Sequence, residues 1–128
     1  MKNQSVDVFD VVDEEFADTL VGLGLKRNVA KTLTYLINTQ EVTSREIEMG
    51  SDLRQPEVST AMRELQKLKW VAIREEKKPG KGRPFKIYRL DKNLNSIIQQ
   101  LEQQKTLESR MMMENVQRLK SLKLTNNK

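Results

Sequence analysis

The sequence predicts a mainly α-helical fold with one small β-hairpin, and three observations support this prediction. Up to Trp70, apolar residues recur at the three- and four-residue steps of amphipathic helices. The period then changes to two in the segments "WVAIREE" and "FKIYRL", which are rich in strand-forming residues. After Leu94 the chain contains no Gly or Pro as far as Lys128, which favours a long C-terminal helix.

The composition excludes most kinds of catalysis. The chain of 128 residues has no cysteine and no histidine, so thiolate nucleophiles, the commonest general base and the usual zinc ligands are missing. No glycine-rich phosphate loop and no pair of acids in an apolar setting is found in the sequence. We therefore expect no enzyme activity, no cofactor and no metal site.

Hydropathy and the first residues predict the cellular compartment. No apolar run approaches the roughly 18 residues that a membrane span needs. The segment "MKNQSVDVFDVVDEEF" is acidic and lacks the basic start and apolar core of a secretory signal. These features predict a cytoplasmic protein without a membrane partner.

Charge is distributed unevenly along the chain. Residues 1–20 hold one basic and six acidic side chains, whereas residues 54–90 hold eleven basic and four acidic ones, a net charge of +7. A basic region confined to one part of a chain is typical of a polyanion-binding surface. A lysine-rich surface that is merely solvated is the alternative interpretation.

Residues 1–22 are predicted to form an acidic N-terminal helical segment. Its amphipathic part runs from about Val11 to Val21. A break at "GLGL" leads into a second helix over residues 26–38. The residues of that helix predicted to face inward are Val29, Leu33, Leu36 and Ile37.

A helix-turn-helix arrangement is predicted next. Thr43 and Glu46 have the spacing of a capping box, so a short helix should start at Ser44. The predicted turn contains Gly50, Ser51 and Asp52, which are residues that turn a chain readily. A second helix follows within residues 54–70. Its apolar stripe consists of Val58, Ala61, Met62, Leu65 and Leu68. A capped helix, a short turn and a second helix with a polar outer face define this motif.

The hairpin after the second helix is predicted to be a wing. Its two strands flank "KKPGKGRP", which is too rich in Gly and Pro for regular structure and carries four basic residues. A hairpin placed directly after a helix-turn-helix has the position of a wing. Residues 23–90 are thus predicted to form a winged helix-turn-helix domain.

The C-terminal segment, residues 91–128, is predicted to be a dimerisation helix. Its apolar residues are too irregularly spaced for a sustained coiled coil, yet an isolated helix carrying them would be only marginally stable. The predicted dimer interface also includes one face of the N-terminal helix. The residues of the whole predicted interface are Val12, Phe16, Leu20, Leu94, Ile97, Ile98, Leu101, Leu107, Met111, Met112, Leu119 and Leu122. Folding of the tail back onto its own core is the alternative.

Residues 23–90 resemble archaeal winged-helix transcriptional regulators, broadly the MarR-like, TrmB-like and ArsR-like groups. The segments that carry the resemblance are "LGLKRNVAKTLTYL", "EVTSREIEMGSDLRQPEVSTAMRELQKLKWV" and "KPGKGRPFKIYRL". The resemblance implies sequence-specific binding of double-stranded DNA by a homodimer. It places the helix after Arg54 in the major groove and the wing along the minor groove. A small-molecule effector is left open.

Individual DNA contacts follow from side-chain chemistry. Gln55, Ser59 and Arg63 form one row on the second helix, and Gln55 and Arg63 are the predicted base readers because amide and guanidinium groups pair with base edges. Ser59 and Thr60 can bond either phosphates or base edges, and Pro56 lies beside the same row of the DNA-binding helix. Arg54, Lys67 and, at the start of the first helix, Ser44 are expected to contact phosphates. The predicted wing contacts are Lys77, Lys78, Lys81 and Arg83, with Arg83 as the minor-groove probe.

Other interpretations of the same residues stay open. Glu57 either complements the dipole of the helix or accepts from a cytosine amino group, and the former is favoured. Trp70 and Tyr88 are expected to be structural rather than base-stacking residues. The whole module could instead dock on an acidic protein, or bind DNA without sequence preference.

Overall fold

The computed structural model describes residues 10–77, 80 and 82–126. Their elements, in chain order, are α1 (Val11–Gly22), α2 (Arg27–Ile37), β1 (Val42–Thr43), α3 (Ser44–Ser51), α4 (Gln55–Lys67), β2 (Val71–Glu76), β3 (Phe85–Leu90) and α5 (Leu94–Asn126). The predicted fold class is confirmed: the chain is mainly helical, with a small antiparallel sheet and a long C-terminal helix. None of the described helices is long and apolar enough to cross a membrane.

The chain divides into two compact units, Met1–Asn93 and Leu94–Lys128. The first unit contains four helices and the sheet within its described part, and the second is the single helix α5. This boundary lies three residues after the predicted end of the winged domain.

Two helices supply most of the core of the first unit. From α2, Leu33 and Leu36 are fully buried, and from α4, Val58, Ala61 and Leu65 are fully buried. These positions recur at three- and four-residue steps, so the apolar stripes predicted for the two helices are confirmed. Ile37 and Leu68, the outer members of the predicted stripes, are only half-buried.

The sheet has three strands in the order β1-β3-β2, one more than the predicted hairpin. Strands β2 and β3 pair antiparallel, with Val71 opposite Leu90. The additional strand β1 pairs with β3 through Val42 opposite Tyr88 and Thr43 opposite Ile87. Since α3 follows β1 immediately, this short ladder anchors the start of the helix-turn-helix to the wing.

The turn between α3 and α4 is shorter than predicted. Gly50 and Ser51, which were expected in the turn, are buried residues of the last turn of α3. The chain reverses at Asp52, whose φ of 56° is left-handed, a conformation that Asp adopts more readily than most residues. Gly50 serves close packing instead, because a Cβ at this position would overlap the ring carbons of Tyr35.

Replacing Gly50 with Ala should therefore destabilise the first unit by about 1–3 kcal/mol, the usual cost of overpacking. Gly22→Ala is the matched control, since Gly22 is also helical but has nothing within 4 Å of the added Cβ. That control should be neutral or slightly stabilising, because Ala is the better helix former. Urea denaturation followed by circular dichroism measures both; equal effects of the two substitutions would contradict the packing role of Gly50.

Candidate nucleic-acid interface

The start of α3 is held by a reciprocal cap. The backbone N–H of Glu46 donates to Oγ1 of Thr43 at 3.2 Å, and the backbone N–H of Thr43 donates to Oε1 of Glu46 at 2.8 Å. The predicted capping box is thus confirmed. It satisfies two backbone donors that the first turn of a helix leaves unpaired. Ser44 and Arg45, the first two residues of the helix, acquire fixed positions beside the sheet.

The start of α4 is held by Glu57. Its Oε1 accepts a hydrogen bond from the backbone N–H of Arg54 at 2.9 Å, and its carbonyl oxygen accepts from Nδ2 of Asn28 at 3.2 Å. A carboxylate in the first turn also complements the positive end of the helix dipole. The structure therefore supports the capping interpretation of Glu57 over a contact with cytosine. Asn28 ties this turn to α2.

The predicted reading row lies on the outer face of α4. Gln55 and Arg63 are exposed, and Ser59 is half-buried between them. The Arg63 guanidinium donates from Nη1 to Oγ of Ser59 at 3.3 Å and from Nη2 to Oγ1 of Thr60 at 3.4 Å. Both bonds are long and hence weak, so the guanidinium is positioned by its neighbours yet can exchange them for another acceptor.

A cavity of about 730 Å³ opens beside this row, between the helix-turn-helix and the sheet. Its lining residues come from the start of α3, from α4 and from strands β2 and β3. They are Thr43, Ser44, Arg45, Gln55, Ser59, Met62, Arg63, Gln66, Ile73, Phe85, Lys86 and Tyr88. Three are cationic and none carries a carboxylate. The cavity thus combines positive charge with amide and hydroxyl groups, a set that suits a polyanion.

The apolar part of the lining comes partly from the core. Met62 and Tyr88 are 3% and 9% exposed, and burial raises the pKa of the Tyr88 hydroxyl above its usual value. Trp70 is 1% exposed. The burial of Trp70 and Tyr88 agrees with the structural role expected for both.

Several predicted contacts lie outside the cavity lining. Four predicted contacts on α4 and at its start do not line the cavity. Arg54, Pro56 and Lys67 are exposed, and Thr60 is half-buried. In the wing, Lys77 and Arg83 are exposed, whereas Lys78 and Lys81 lie outside the described residues. Ser44 lines the cavity, but its hydroxyl donates to Oε2 of Glu48 at 3.4 Å.

Sequence reasoning missed three polar residues of the lining, Arg45, Gln66 and Lys86. Gln66 lies three positions after Arg63, so helical spacing could have added it to the reading row. Arg45 follows the predicted cap directly. Lys86 belongs to a strand, and only the pairing of β3 with both neighbours reveals that it borders the same cavity as α4.

Ion pairs remove part of the basic charge counted in residues 54–90. Arg74 on β2 donates to both carboxylate oxygens of Glu41, at 2.7 and 3.2 Å, and Arg89 lies 2.9 Å from Asp91. The hydrogen bond from Arg74 lowers the pKa of Glu41, and the same bond raises the pKa of Arg74. These two arginines are engaged with neighbouring acids, whereas Arg45, Arg63 and Lys86 line the cavity.

The residues predicted for the dimer interface differ in exposure. Leu20, Ile97 and Leu101 are buried in the single chain, and Phe16 and Leu94 are half-buried. The exposed members are Val12, Ile98, Leu107, Met111, Met112, Leu119 and Leu122. Met113 and Val116, which were not predicted, are exposed as well. Among the described residues, most exposed large apolar side chains thus lie on α5 between Leu107 and Leu122, while Val11, Leu23 and Met49 are exposed elsewhere.

The fold is similar to those of solved transcription regulators. A possible transcriptional regulator from Methanosarcina mazei Go1 superposes with a TM-score of 0.60 at 14% identity, over 81% of this chain and 87% of that chain. A MarR family regulator from Silicibacter pomeroyi gives 0.51 at 14% identity, over 90% and 82%. A MarR family regulator from Neisseria meningitidis gives 0.50 at 14% identity, over 92% of each chain.

These similarities define the class of fold, the MarR-type winged helix. At 14% identity they establish the fold alone. No protein-family model and no curated protein matches the sequence.

The role of Glu57 can be tested by Glu57→Ala, which removes the acceptor for the Arg54 backbone N–H. We expect a loss of about 1 kcal/mol in the free energy of unfolding, as for other N-terminal caps. Glu64→Ala, a half-buried position within the same helix, is the control and should cost less. Thermal unfolding by circular dichroism is the measurement. An unchanged stability together with an altered base preference would instead assign Glu57 to DNA reading.

Proposed function

We propose that this protein is a sequence-specific double-stranded DNA-binding regulator of transcription that acts as a homodimer. In this proposal α4 enters the major groove, and the basic wing lies along the minor groove. The function implies a cytoplasmic, nucleoid-associated protein of the archaeal winged-helix type that the sequence resembles.

The observation that carries the proposal is the polar row on α4 together with the adjoining cavity, whose lining contains no acidic residue. Gln55 and Arg63 present an amide and a guanidinium on one helix face, the two groups best suited to adenine and guanine edges. Arg45 and Lys86 border the same surface from α3 and β3 and suit the flanking phosphates.

Selection from a pool of random duplexes tests the proposal. We expect a recovered motif with two related half-sites, about 10 base pairs or a multiple of that apart, because a two-fold dimer reads two-fold DNA. Recovery of bound duplexes without a shared motif would support a sequence-indifferent DNA-binding protein instead. Failure to retain any duplex would favour docking on an acidic protein.

The dependence of DNA affinity on salt concentration is a second, independent measurement that distinguishes these outcomes. With about six phosphate contacts, the affinity for the selected duplex should fall roughly a thousandfold between 50 and 200 mM salt. A scrambled duplex should give a similar slope at lower affinity. A specific complex whose affinity is insensitive to salt would contradict the assignment of Arg45, Lys86 and the wing to phosphates.

Arg63→Ala and Arg83→Ala should impair DNA binding in different ways. Loss of Arg63 should relax the preference at one base pair and cost about 1–3 kcal/mol on the preferred sequence. Loss of Arg83 should weaken binding most on duplexes with A·T-rich flanks, whose narrow minor groove attracts a guanidinium. Binding titrations on a panel of single-base variants measure both. Uniform weakening on all duplexes by both substitutions would contradict the division into base and shape readers.

The homodimer is expected to depend on the segment after Leu94. Deletion of residues 93–128 should yield a monomer with greatly weakened operator binding, measured by light scattering and by titration. Leu119→Glu in the full chain tests the same interface without a deletion. It replaces a side chain that is 67% exposed by a charged one and leaves the rest of α5 in place. A truncated protein that is still dimeric at micromolar concentration would contradict this interface.

A further inference from the structure

A bidentate ion pair joins the β2–β3 hairpin to the residue that precedes β1. Arg74 on β2 donates from Nη2 to Oε1 of Glu41 at 2.7 Å and from Nε to Oε2 of Glu41 at 3.2 Å. Strand β3 lies between β1 and β2 in the sheet, so the pair crosses over a whole strand. Two parallel hydrogen bonds between a guanidinium and a carboxylate fix the direction as well as the distance of the contact.

The register of the sheet explains how the pair crosses β3. Arg74 is opposite Ile87, and Ile87 is opposite Thr43 on β1. Directly opposed side chains lie on the same face of a sheet, and Glu41 precedes Thr43 by two residues, which is the side-chain period of a strand. Neighbouring strands are about 4.8 Å apart, so β1 and β2 are about 10 Å apart. The two long side chains bridge this distance on the face that carries Ile87.

Ile87 therefore lies under the ion pair. It is 8% exposed, although the side chains of Arg74 and Glu41 are 48% and 44% exposed. The aliphatic stem of an arginine covers apolar surface while its charged end stays in water, and the position of Arg74 beside Ile87 suits this role. Ile73 and Tyr88 belong to the opposite face of the sheet and line the cavity. The cavity lining includes neither Arg74 nor Glu41.

The two ends of the ion pair belong to different parts of the proposed DNA surface. Glu41 is joined through β1 to the start of α3, where Ser44 and Arg45 line the cavity. Arg74 belongs to the hairpin, in which Arg83 lies two residues before β3. A two-stranded hairpin is only marginally stable alone, and β1 pairs with it at two positions. A contact across β3 therefore limits how far the hairpin can tilt against the helix-turn-helix.

We propose that Arg74 and Glu41 are positioning residues for the wing. Their ion pair holds the hairpin at one angle to the helix-turn-helix, so that Arg83 meets the minor groove while α4 occupies the major groove. Neither residue of the pair contacts DNA in this arrangement. The inference rests on the proposed function and adds the contact that orients the wing.

Glu41→Gln distinguishes positioning from overall electrostatics, because the two predict opposite results. The substitution removes a negative charge, so a purely electrostatic effect would strengthen binding to every duplex. It also weakens the charge-assisted hydrogen bonds that hold Arg74. We expect the wild-type preference for A·T-rich over G·C-rich flanks to fall about fivefold, measured by titration of duplexes that differ only in their flanks. Tighter binding to both duplexes with an unchanged preference would overturn the proposal.

A double-mutant cycle with Arg83 tests whether Arg74 acts through the wing. Arg74→Lys keeps the positive charge but loses the planar fork that matches a carboxylate. In the Arg74→Lys background, Arg83→Ala should weaken binding to A·T-flanked duplexes about fivefold less than in the wild type. The effect of Arg63→Ala should be the same in both backgrounds. Full additivity of Arg74→Lys with Arg83→Ala would overturn the proposal.

Arg89→Lys is the matched control. Arg89 pairs with Asp91 at 2.9 Å, and these side chains are 47% and 50% exposed, close to the values for Arg74 and Glu41. Arg89 is on β3 and Asp91 directly follows that strand, so this pair does not cross between strands. We expect an unchanged flank preference and additivity with Arg83→Ala. Exposed ion pairs contribute little to stability, so circular dichroism in urea should show all variants equally folded. A loss of flank preference in Arg89→Lys as large as that in Arg74→Lys would overturn the specific role of the Arg74–Glu41 pair.

Residual dipolar couplings of backbone amides in the protein without DNA measure the orientation of the hairpin directly. In the wild type, the couplings of β2 and β3 should fit one alignment tensor together with those of α2 and α4. In Arg74→Lys and Glu41→Gln the hairpin couplings should shrink or require a different orientation. Unchanged couplings in both variants would overturn the proposal. Failure of the wild type to bind any duplex would instead contradict the proposed function, and the couplings would still decide whether the ion pair orients the hairpin.

Discussion

Burial of the apolar stripe of α4 is the constraint on which the rest of the structure depends. Val58, Ala61 and Leu65 are fully buried, and on a helix this fixes which side chains point away. Gln55 and Arg63 face outward because the buried stripe occupies the opposite side of the helix. The cap at Glu57 then sets where the helix begins, so the stripe and the outer row are in a defined register.

The distribution of positive charge over the surface follows from this arrangement. Two of the four acidic residues in the basic region have partners within the chain: Glu57 accepts from the backbone N–H of Arg54, and Glu76 lies 3.6 Å from Arg74. Arg74 in turn is held by Glu41, which directly precedes β1. Exposed ion pairs of this kind contribute little to stability. Their effect here is on where positive charge is available, and the cavity lining retains three cations without an acid.

Much of this architecture could be predicted from the sequence because its signals are local. The Thr43–Glu46 cap, the stripe of α4 and the change of period after Trp70 each depend on residues close together in the chain. Strand β1 could not be predicted, since two residues show no periodicity and pair only because β3 is present. The need for glycine at position 50 comes from its contact with the ring of Tyr35. Lys86 borders the cavity because its strand is paired within the sheet. Such features arise from contacts distant in sequence, which composition and spacing do not encode.

The central claim is that the outer face of α4 and the adjoining cavity meet the duplex. Titration of the isotopically labelled protein with its selected duplex, followed by NMR of backbone amides and arginine side chains, tests this most directly. The account predicts that the largest changes fall on Arg45, Gln55, Ser59, Arg63 and Lys86, while exposed positions of the acidic helix α1 stay unchanged. Changes concentrated on α1 or α5, with the signals of α4 unaffected at saturation, would contradict it.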